Sequence, residues 1–206
     1  MTASRLNTKS DANPTSGPRG VRTSLSHPLR IDAVAASPAG GLIGITFCPG
    51  KCGASLYGPR WQRDLALDLD AVKLWGAAAV VTLIEDHELE LLGVRTLGAQ
   101  VQARGMAWCH LPIADVSAPD ARFESSWAAV GPQLLATLSR GGRVLVHCRG
   151  GLGRAGTVAA RLLVELGVPP REAIARVRQA RPGAIETGAQ QRYVLGLPGV
   201  NRHTER

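Results

Sequence analysis

Apolar runs recur along the chain between residues 41 and 147 and are separated by segments of a different pattern. Residues 77–85 (AAAVVTLIE) are almost continuously apolar, which is typical of a strand buried on both faces of a parallel sheet. Shorter apolar runs occupy residues 41–47, 106–113 and 143–147. We expect each of these four segments to be a strand.

Amphipathic segments fill most of the intervals between the predicted strands. Residues 64–76 fit a helix that ends at Gly76 and leads into the run at 77–85. Alternation of strands with helices predicts an α/β domain with a central, mainly parallel sheet of about four or five strands flanked by helices. Ligands of such sheets bind beyond the carboxyl ends of the strands, near helix N-termini. The other predicted helices are 86–92, 95–104, 123–140, 154–166, 170–181 and 188–196.

The N-terminal segment differs in composition from the rest of the chain. Residues 1–28 are rich in Ser, Thr, Pro and charge and show no periodicity, so we expect a disordered N-terminal tail. One domain is expected to occupy residues 31–200. No apolar run approaches the roughly 20 residues that a membrane span needs, and no secretory signal is visible near the N-terminus.

Charge adds one expectation about partners. The formal net charge is +8, which favours attraction to phosphorylated substrates, nucleic acid or acidic lipid, or else reflects a compositional bias with no partner. Aromatic residues make up only 4 % of the chain, and no zinc-finger or RNA-recognition signature is present. We therefore expect no nucleic-acid partner.

The four cysteines show no disulfide-framework spacing. Cys48 and Cys52 could form half of a metal site, but no second Cys or His pair stands at ligand spacing, since His87, His110 and His147 are scattered. We expect no metal and no cofactor, and free thiols in a reducing cytoplasm.

The segment HCRGGLGRAGT (147–157) directly follows the strand predicted at 143–147. A glycine-rich turn at a helix N-terminus directs N–H groups towards an anion, and Arg154 can add two parallel hydrogen bonds to a phosphate. A thiol in that position has a pKa lowered from ~8.5 to roughly 3.5–7.5, so we expect Cys148 to be a thiolate that attacks phosphorus. The phosphate-binding residues predicted in this turn are Arg149, Gly150, Gly151, Leu152, Gly153 and Arg154. Gly150, Gly151 and Gly153 are expected to adopt conformations closed to other residues.

A phosphoester also needs an acid to protonate its leaving group. Asp86, Asp115 and Asp120 all lie in segments that follow predicted strands. Asp115 comes soon after the strand at 106–113, whereas Asp120 stands in a Pro-Asp turn and can cap the next helix. We therefore favour Asp115.

Three stretches together resemble a known family. HCRGGLGRAGT resembles the Cys-x5-Arg signature of the protein tyrosine and dual-specificity phosphatases, and its first eight residues are most similar to the cyclin-dependent-kinase-associated group. Residues 110–120 (HLPIADVSAPD) and 183–194 (GAIETGAQQRYV) agree with the same family, and the resemblance extends over roughly residues 40–196. It implies a central sheet flanked by helices, Cys148 as the nucleophile, Arg154 as the phosphate ligand and Asp115 as the general acid.

The resemblance also suggests supporting residues. Gln190 matches the family's glutamine that orients the second-step water, with Gln191 as the alternative. His147 is expected either to hydrogen-bond within the loop and support the thiolate, or simply to be packed. Arg149 either reaches a substrate anion or is solvated. The basic segment 171–181 is expected to be a solvated outer face.

One position departs from the family pattern. Many members carry Ser or Thr after the arginine, where the hydroxyl assists departure of the thiolate, and here that residue is Ala155. We expect breakdown of the phosphocysteine to be slow. The leading interpretation is a phosphatase of phosphotyrosine, and of phosphoserine or phosphothreonine, in proteins. The alternatives are a phosphatase of phosphoinositides or small phosphate esters and a phosphate-binding module without turnover; a sulfurtransferase of the rhodanese kind is disfavoured by Arg154 and the separate acid.

Overall fold

The computed structural model describes residues 20–55 and 58–199. The described strands are β1 (Val21–Arg22), β2 (Asp32–Ala35), β3 (Leu42–Phe47), β4 (Cys52–Gly53), β5 (Arg60–Gln62), β6 (Ala77–Thr82), β7 (Ala107–His110) and β8 (Arg143–Cys148). The helices are α1 (Leu65–Leu74), α2 (Asp86–Leu91), α3 (Leu97–Ala103), α4 (Ala121–Ser139), α5 (Gly153–Glu165), α6 (Pro170–Ala180) and α7 (Gly188–Leu195).

A five-stranded sheet with the order β2-β3-β8-β6-β7 forms the centre of the fold. Strands β3, β8, β6 and β7 run parallel, and β2 is antiparallel to β3 at one edge. The predicted α/β class with a mainly parallel sheet is confirmed. Strand β2 was not predicted, because a four-residue strand with one buried side chain carries no clear pattern.

The parallel pairing brings four strand ends to the same edge. Strand β8 lies between β3 and β6, and its last residue, Cys148, is level with Phe47 at the end of β3. His147 pairs in register with Thr82 of β6. Cys148 therefore stands at the carboxyl edge of the sheet, where ligands of α/β proteins bind.

A second, three-stranded sheet with the order β1-β5-β4 was also missed. Its strands are only two or three residues long, too short to show periodicity. Its first strand corrects the predicted domain start near Ile31, because Val21 and Arg22 already pair with Arg60 and Trp61. Residues 1–19 lie outside the described residues, so for them the tail stays a prediction.

Helix α5 is buried along nearly its whole length. Residues 153–164 are all buried, and the helix packs against β8 and the helices α4, α6 and α7. Its N-terminus follows the carboxyl end of β8 after only four residues, so the loop between them is held between rigid elements. No helix within the described residues is long and apolar enough to cross a membrane.

Among the boundaries that differ from the predictions, two lie next to the N-caps of helices. Strand β6 ends at Thr82 instead of residue 85, since Glu85 is the N-cap of α2. Helix α4 begins at Ala121 instead of residue 123, because the Asp120 carboxylate accepts the N–H groups of Arg122 and Phe123. The helix continues through Pro132.

Candidate active site

The turn from Cys148 to Arg154 joins β8 to α5 and curls around the cysteine sulfur. Cys148 is 3 % exposed, and its Sγ accepts a hydrogen bond from the Gly151 N–H at 3.2 Å. Gly151 has φ of +71°, and a Cβ there would lie 2.4 Å from the Thr46 backbone. Only glycine fits both constraints.

Gly150 and Gly153 do not adopt the special backbone conformations that were predicted for them. Neither Gly150 nor Gly153 has a positive φ. A Cβ on Gly150 would meet nothing within 4 Å, whereas one on Gly153 would lie 2.5 Å from Glu186 Oε2 and 2.9 Å from Gln190 Nε2. Gly153 therefore permits close packing of α5, and the special backbone conformation belongs to Gly151 alone among the three.

Cations outside the turn hold its carbonyl groups. Arg181 Nε donates to the Gly151 carbonyl at 2.7 Å, and its Nη2 donates to the Gly150 carbonyl at 3.2 Å. Lys51 Nζ donates to the Arg149 carbonyl at 3.3 Å. Because C=O and N–H point in opposite directions across a trans peptide, the N–H groups of residues 150–152 face the other side, as the Gly151 N–H on the sulfur shows. The turn is thus arranged to bind an anion.

Arg181 is itself fixed by an acidic side chain of β2. Its Nη1 donates to Asp32 Oδ2 at 2.6 Å, and the two side chains are 13 % and 10 % exposed. In the same basic segment, Arg178 donates to the carbonyls of Ala184 and Ile185. The prediction of a solvated outer face for 171–181 is therefore wrong for these two arginines, because backbone carbonyls of neighbouring loops lie within their reach.

Arg154 is buried and paired with a residue that sequence reasoning missed. Its Nη1 and Nη2 donate to the two carboxylate oxygens of Glu88 at 2.5 and 2.9 Å, and Nη1 also donates to the Ile113 carbonyl. Burial acts to raise the pKa of Glu88, but hydrogen bonds from Arg154 and from the Glu85 N–H outweigh it and hold that pKa below its ordinary value. Burial acts to lower the pKa of Arg154, but the hydrogen bonds to Glu88 and nearby negative charges outweigh it and raise that pKa.

Glu88 carried one signal that could have identified it. It forms a capping box with Glu85, whose N–H donates to Glu88 Oε2 at 3.0 Å. The spacing Glu85-x-x-Glu88 directly after a predicted strand places Glu88 in the first turn of a helix at the carboxyl edge of the sheet. A carboxylate there lies near the turn after the neighbouring strand.

Of the three candidate acids, Asp115 alone lies at the turn. Its Oδ1 is 2.9 Å from Arg154 Nη2, and the carboxylate is 57 % exposed. Asp120 caps α4, and Asp86 points into solvent 3.8 Å from His110. The residue after Asp115, Val116, has φ of +53°, a conformation that costs a β-branched residue energy.

Gln190 lies behind the turn. It is buried, its Oε1 accepts the Thr187 N–H at 3.2 Å, and its Nε2 donates to the Ser117 carbonyl at 3.0 Å. It thereby ties α7 to the loop that carries Asp115. Gln191 instead accepts a hydrogen bond from Arg178. Orientation of a water molecule by Gln190 stays a prediction.

His147 is fully buried beside the turn. Its Nε2 shares a hydrogen bond of 2.8 Å with the Thr82 hydroxyl, which also accepts from Trp108 Nε1 at 2.9 Å. Burial lowers the pKa of His147 from 6.5 to about 3. The ring is therefore neutral near pH 7 and bonds to the neighbouring strand, so it adds no positive charge to support the sulfur.

The Thr157 hydroxyl does not take the place of the one that Ala155 lacks. Ala155 is fully buried, and the hydroxyl of Thr157, two residues further along the helix, donates to the Gly153 carbonyl at 2.7 Å. All four cysteines are free, and burial raises the pKa of Cys48. No group of three or more His, Cys, Asp or Glu side chains in residues 20–55 and 58–199 could hold a metal ion.

Known proteins are similar to this chain in sequence and in fold. Residues 62–194 match the family model "PTP-SAK: Swiss Army Knife protein, DSP-PTPase phosphatase domain". Cyclin-dependent kinase inhibitor 3 of Rattus norvegicus is 34 % identical over 136 residues, which cover 65 % of this chain but only 63 % of that relative.

Two solved structures are similar over most of their length. Kinase associated phosphatase, with its catalytic site cysteine replaced by serine, is 30 % identical, with a TM-score of 0.69 and coverage of 81 % of this chain and 92 % of its own. Tk-PTP in its active form is 31 % identical, with a TM-score of 0.58 and coverage of 80 % and 93 %. The chain therefore belongs to the DSP-PTPase family, the dual-specificity and tyrosine phosphatases.

Proposed function

We propose that the protein is a cysteine-dependent phosphatase that hydrolyses phosphotyrosine, and phosphoserine or phosphothreonine, in proteins. The observation that carries the proposal is the setting of the Cys148 sulfur. A backbone N–H donates to it, and the Arg154 guanidinium and the Asp115 carboxylate meet at the same turn. These are a nucleophile, an oxyanion ligand and a proton donor in one place.

The first step forms a phosphocysteine. The phosphate oxygens bind the N–H groups of residues 150–152 and Arg154, and the Cys148 thiolate attacks phosphorus. As the bond from phosphorus to the ester oxygen breaks, the protonated Asp115 gives its proton to that oxygen. Arg154 Nη2 lies 2.9 Å from Asp115 Oδ1; when this nitrogen binds the phosphate instead, Asp115 is released for the transfer.

The second step returns the enzyme to its starting state. Asp115, now ionised, accepts a proton from water as the water oxygen attacks phosphorus. The bond from phosphorus to sulfur breaks, inorganic phosphate leaves, and Cys148 is again a thiolate. Gln190 holds the loop of Asp115 through Ser117 during both steps.

The substrate class and the compartment are parts of the same proposal. Leu152 occupies a place in the turn where a second cation would favour polyanionic inositol phosphates, which supports phosphoproteins as substrates. Four free cysteines support a reducing compartment, the cytoplasm.

Hydrolysis of p-nitrophenyl phosphate tests the proposal. Cys148→Ser should abolish release of p-nitrophenol while phosphate still binds, as measured by calorimetry. Cys109→Ser, which changes a half-buried thiol on β7, is the matched control and should keep the wild-type rate. Retained hydrolysis by Cys148→Ser, or binding of phosphate without turnover by the wild type, would contradict the proposal.

A further inference from the structure

A cavity of about 630 Å³ opens beside the Cys148 turn. Its volume lies within the range of about 300–1,000 Å³ that is usual for ligand pockets. Three cations line it, Arg22, Lys51 and Arg149, together with the rings of Phe47 and Trp61 and the carboxylates of Asp115 and Glu186. Since Asp115 and Arg149 belong to the proposed catalytic loops, the cavity is continuous with the place where the phosphate binds.

Lys51 is held at the cavity wall by aromatic rings. Its Nζ lies 4.4 Å from the centre of the Phe47 ring and 4.8 Å from that of Trp61, within the range of cation–π attraction. Its one hydrogen bond within the described residues goes to the Arg149 carbonyl at 3.3 Å. The ammonium group is therefore fixed next to the phosphate-binding turn.

Of the two carboxylates that line the cavity, Asp115 contacts Arg154, not Lys51 or Arg149. Neither Lys51 nor Arg149 forms an ion pair in the described part of the chain, whereas the nearby Arg63 is paired with Asp68. Burial lowers the pKa of Lys51 to about 8; the charges of Arg63 and Arg149 add to this effect, and the Cys48 and Cys148 thiols oppose it. An anion placed between Lys51 and Arg149 would relieve this repulsion.

We propose that the cavity is a substrate subsite in which Lys51 and Arg149 bind a carboxylate side chain flanking the phosphorylated residue of a protein. This proposal rests on the phosphatase function proposed above. The Phe47 and Trp61 rings, which line the same cavity, add apolar surface next to the two cations.

An acidic peptide fits this cavity better than a polyphosphate does. Asp115 and Glu186 also line the cavity, and their charges repel a ligand that carries several phosphates. A single carboxylate that contacts Lys51 and Arg149 carries less negative charge and is repelled less by Asp115 and Glu186. The expected ligand is therefore an acidic side chain of a phosphoprotein.

Matched phosphotyrosyl peptides test the subsite. They are identical except for Glu, Gln or Lys at each of the two positions before and after the phosphotyrosine. We expect kcat/KM for a Glu peptide to exceed that of its Gln partner by about fivefold at one or more of these positions, as for a partly exposed ion pair. The Lys peptide should be worse than the Gln peptide, and 0.5 M salt should reduce both differences.

The ratio of kcat/KM for the Glu and Gln peptides separates charge recognition from damage to the turn, because a damaged turn lowers both values together. Lys51→Met and Arg149→Met should each lower the ratio, and the double variant should bring it to about one. Arg149 is exposed, so its variant remains informative if Lys51→Met is unstable. Arg171→Met, an exposed change on α6 outside the cavity, should leave the ratio unchanged.

Three results would overturn the subsite. Equal kcat/KM for Glu and Gln peptides in the wild type would show that no carboxylate is recognised. A preference for Glu over Gln peptides that persists in the double variant would show that other residues recognise the carboxylate. Faster hydrolysis of inositol phosphates than of every peptide would show that the cavity binds a polyphosphate instead of an acidic side chain. Absence of hydrolysis of p-nitrophenyl phosphate as well would instead refute the phosphatase function.

Discussion

Replacing Glu88 by glutamine preserves the shape of the side chain and removes its charge. The Glu88 carboxylate lies 2.5 and 2.9 Å from the two Arg154 nitrogens, and the side chains are only 3 % and 2 % exposed. Loss of one partner of a buried ion pair costs about 3–5 kcal/mol. Glutamine still offers Arg154 one acceptor oxygen, and Asp115 still contacts Arg154. We therefore expect the free energy of unfolding to fall by the lower value of this range, about 3 kcal/mol. That loss lowers Tm by roughly 6–12 °C in a chain of this size.

The pH dependence of this effect follows from the sign of the pKa change. The pKa of Glu88 is lowered from 4.5 in the folded protein, so its contribution to stability is present above that value and is lost as pH falls through the folded pKa. The difference in Tm between wild type and Glu88→Gln should therefore be full at pH 7 and shrink as the pH falls below 4.5.

Thermal unfolding followed by circular dichroism measures both effects. Glu90→Gln is the matched control, because Glu90 lies on the same helix but pairs with the exposed Arg95, and exposed pairs contribute little. A Tm for Glu88→Gln within about 2 °C of the wild type at pH 7 would show that the pair does not hold Arg154 in place. A difference that does not change with pH would show that the charge is not its cause.

Three further predictions concern the reaction. Asp115→Asn should slow hydrolysis of alkyl phosphates by about 10²–10⁴-fold and affect esters with good leaving groups less; equal losses for both would contradict its role as an acid. Arg181→Met should lower kcat/KM for p-nitrophenyl phosphate by about tenfold, because the carbonyls of Gly150 and Gly151 lose a charged donor; an unchanged value would show that the turn holds its shape without Arg181. Ala155→Ser should speed breakdown of the phosphocysteine and reduce the burst of released alcohol in rapid-quench kinetics, and a wild type without a burst would refute slow breakdown.

The turn at 148–154 could be predicted from sequence because all its parts are local. An apolar strand, a glycine-rich segment and a helix follow one another directly, so Cys148 and Arg154 share one loop at the sheet edge. The parallel sheet could also be predicted from local sequence. Strand β6 is buried on both faces, and such a strand is continuously apolar instead of alternating between apolar and polar residues.

Contacts between distant segments could not be predicted. Arg154 and Glu88 are 66 residues apart, Lys51 and Arg149 are 98 apart, and Arg181 and Asp32 are 149 apart. In the sequence, Lys51, Arg181 and Asp32 are indistinguishable from solvated charged residues. Periodicity reports which face of an element is apolar, but not which charged side chain of one element meets the backbone of another.

Local order of residues was thus enough to place Cys148 and Arg154 in one loop at the sheet edge and to predict the class of fold. Strand register and helix packing were needed to show that Gly151 alone of the turn's three glycines requires its special conformation, that Glu88 holds Arg154, and that cations bind the outer carbonyls of the turn. The physical reason is that local structure depends on neighbours in the chain, whereas burial and pairing of charge depend on neighbours in space.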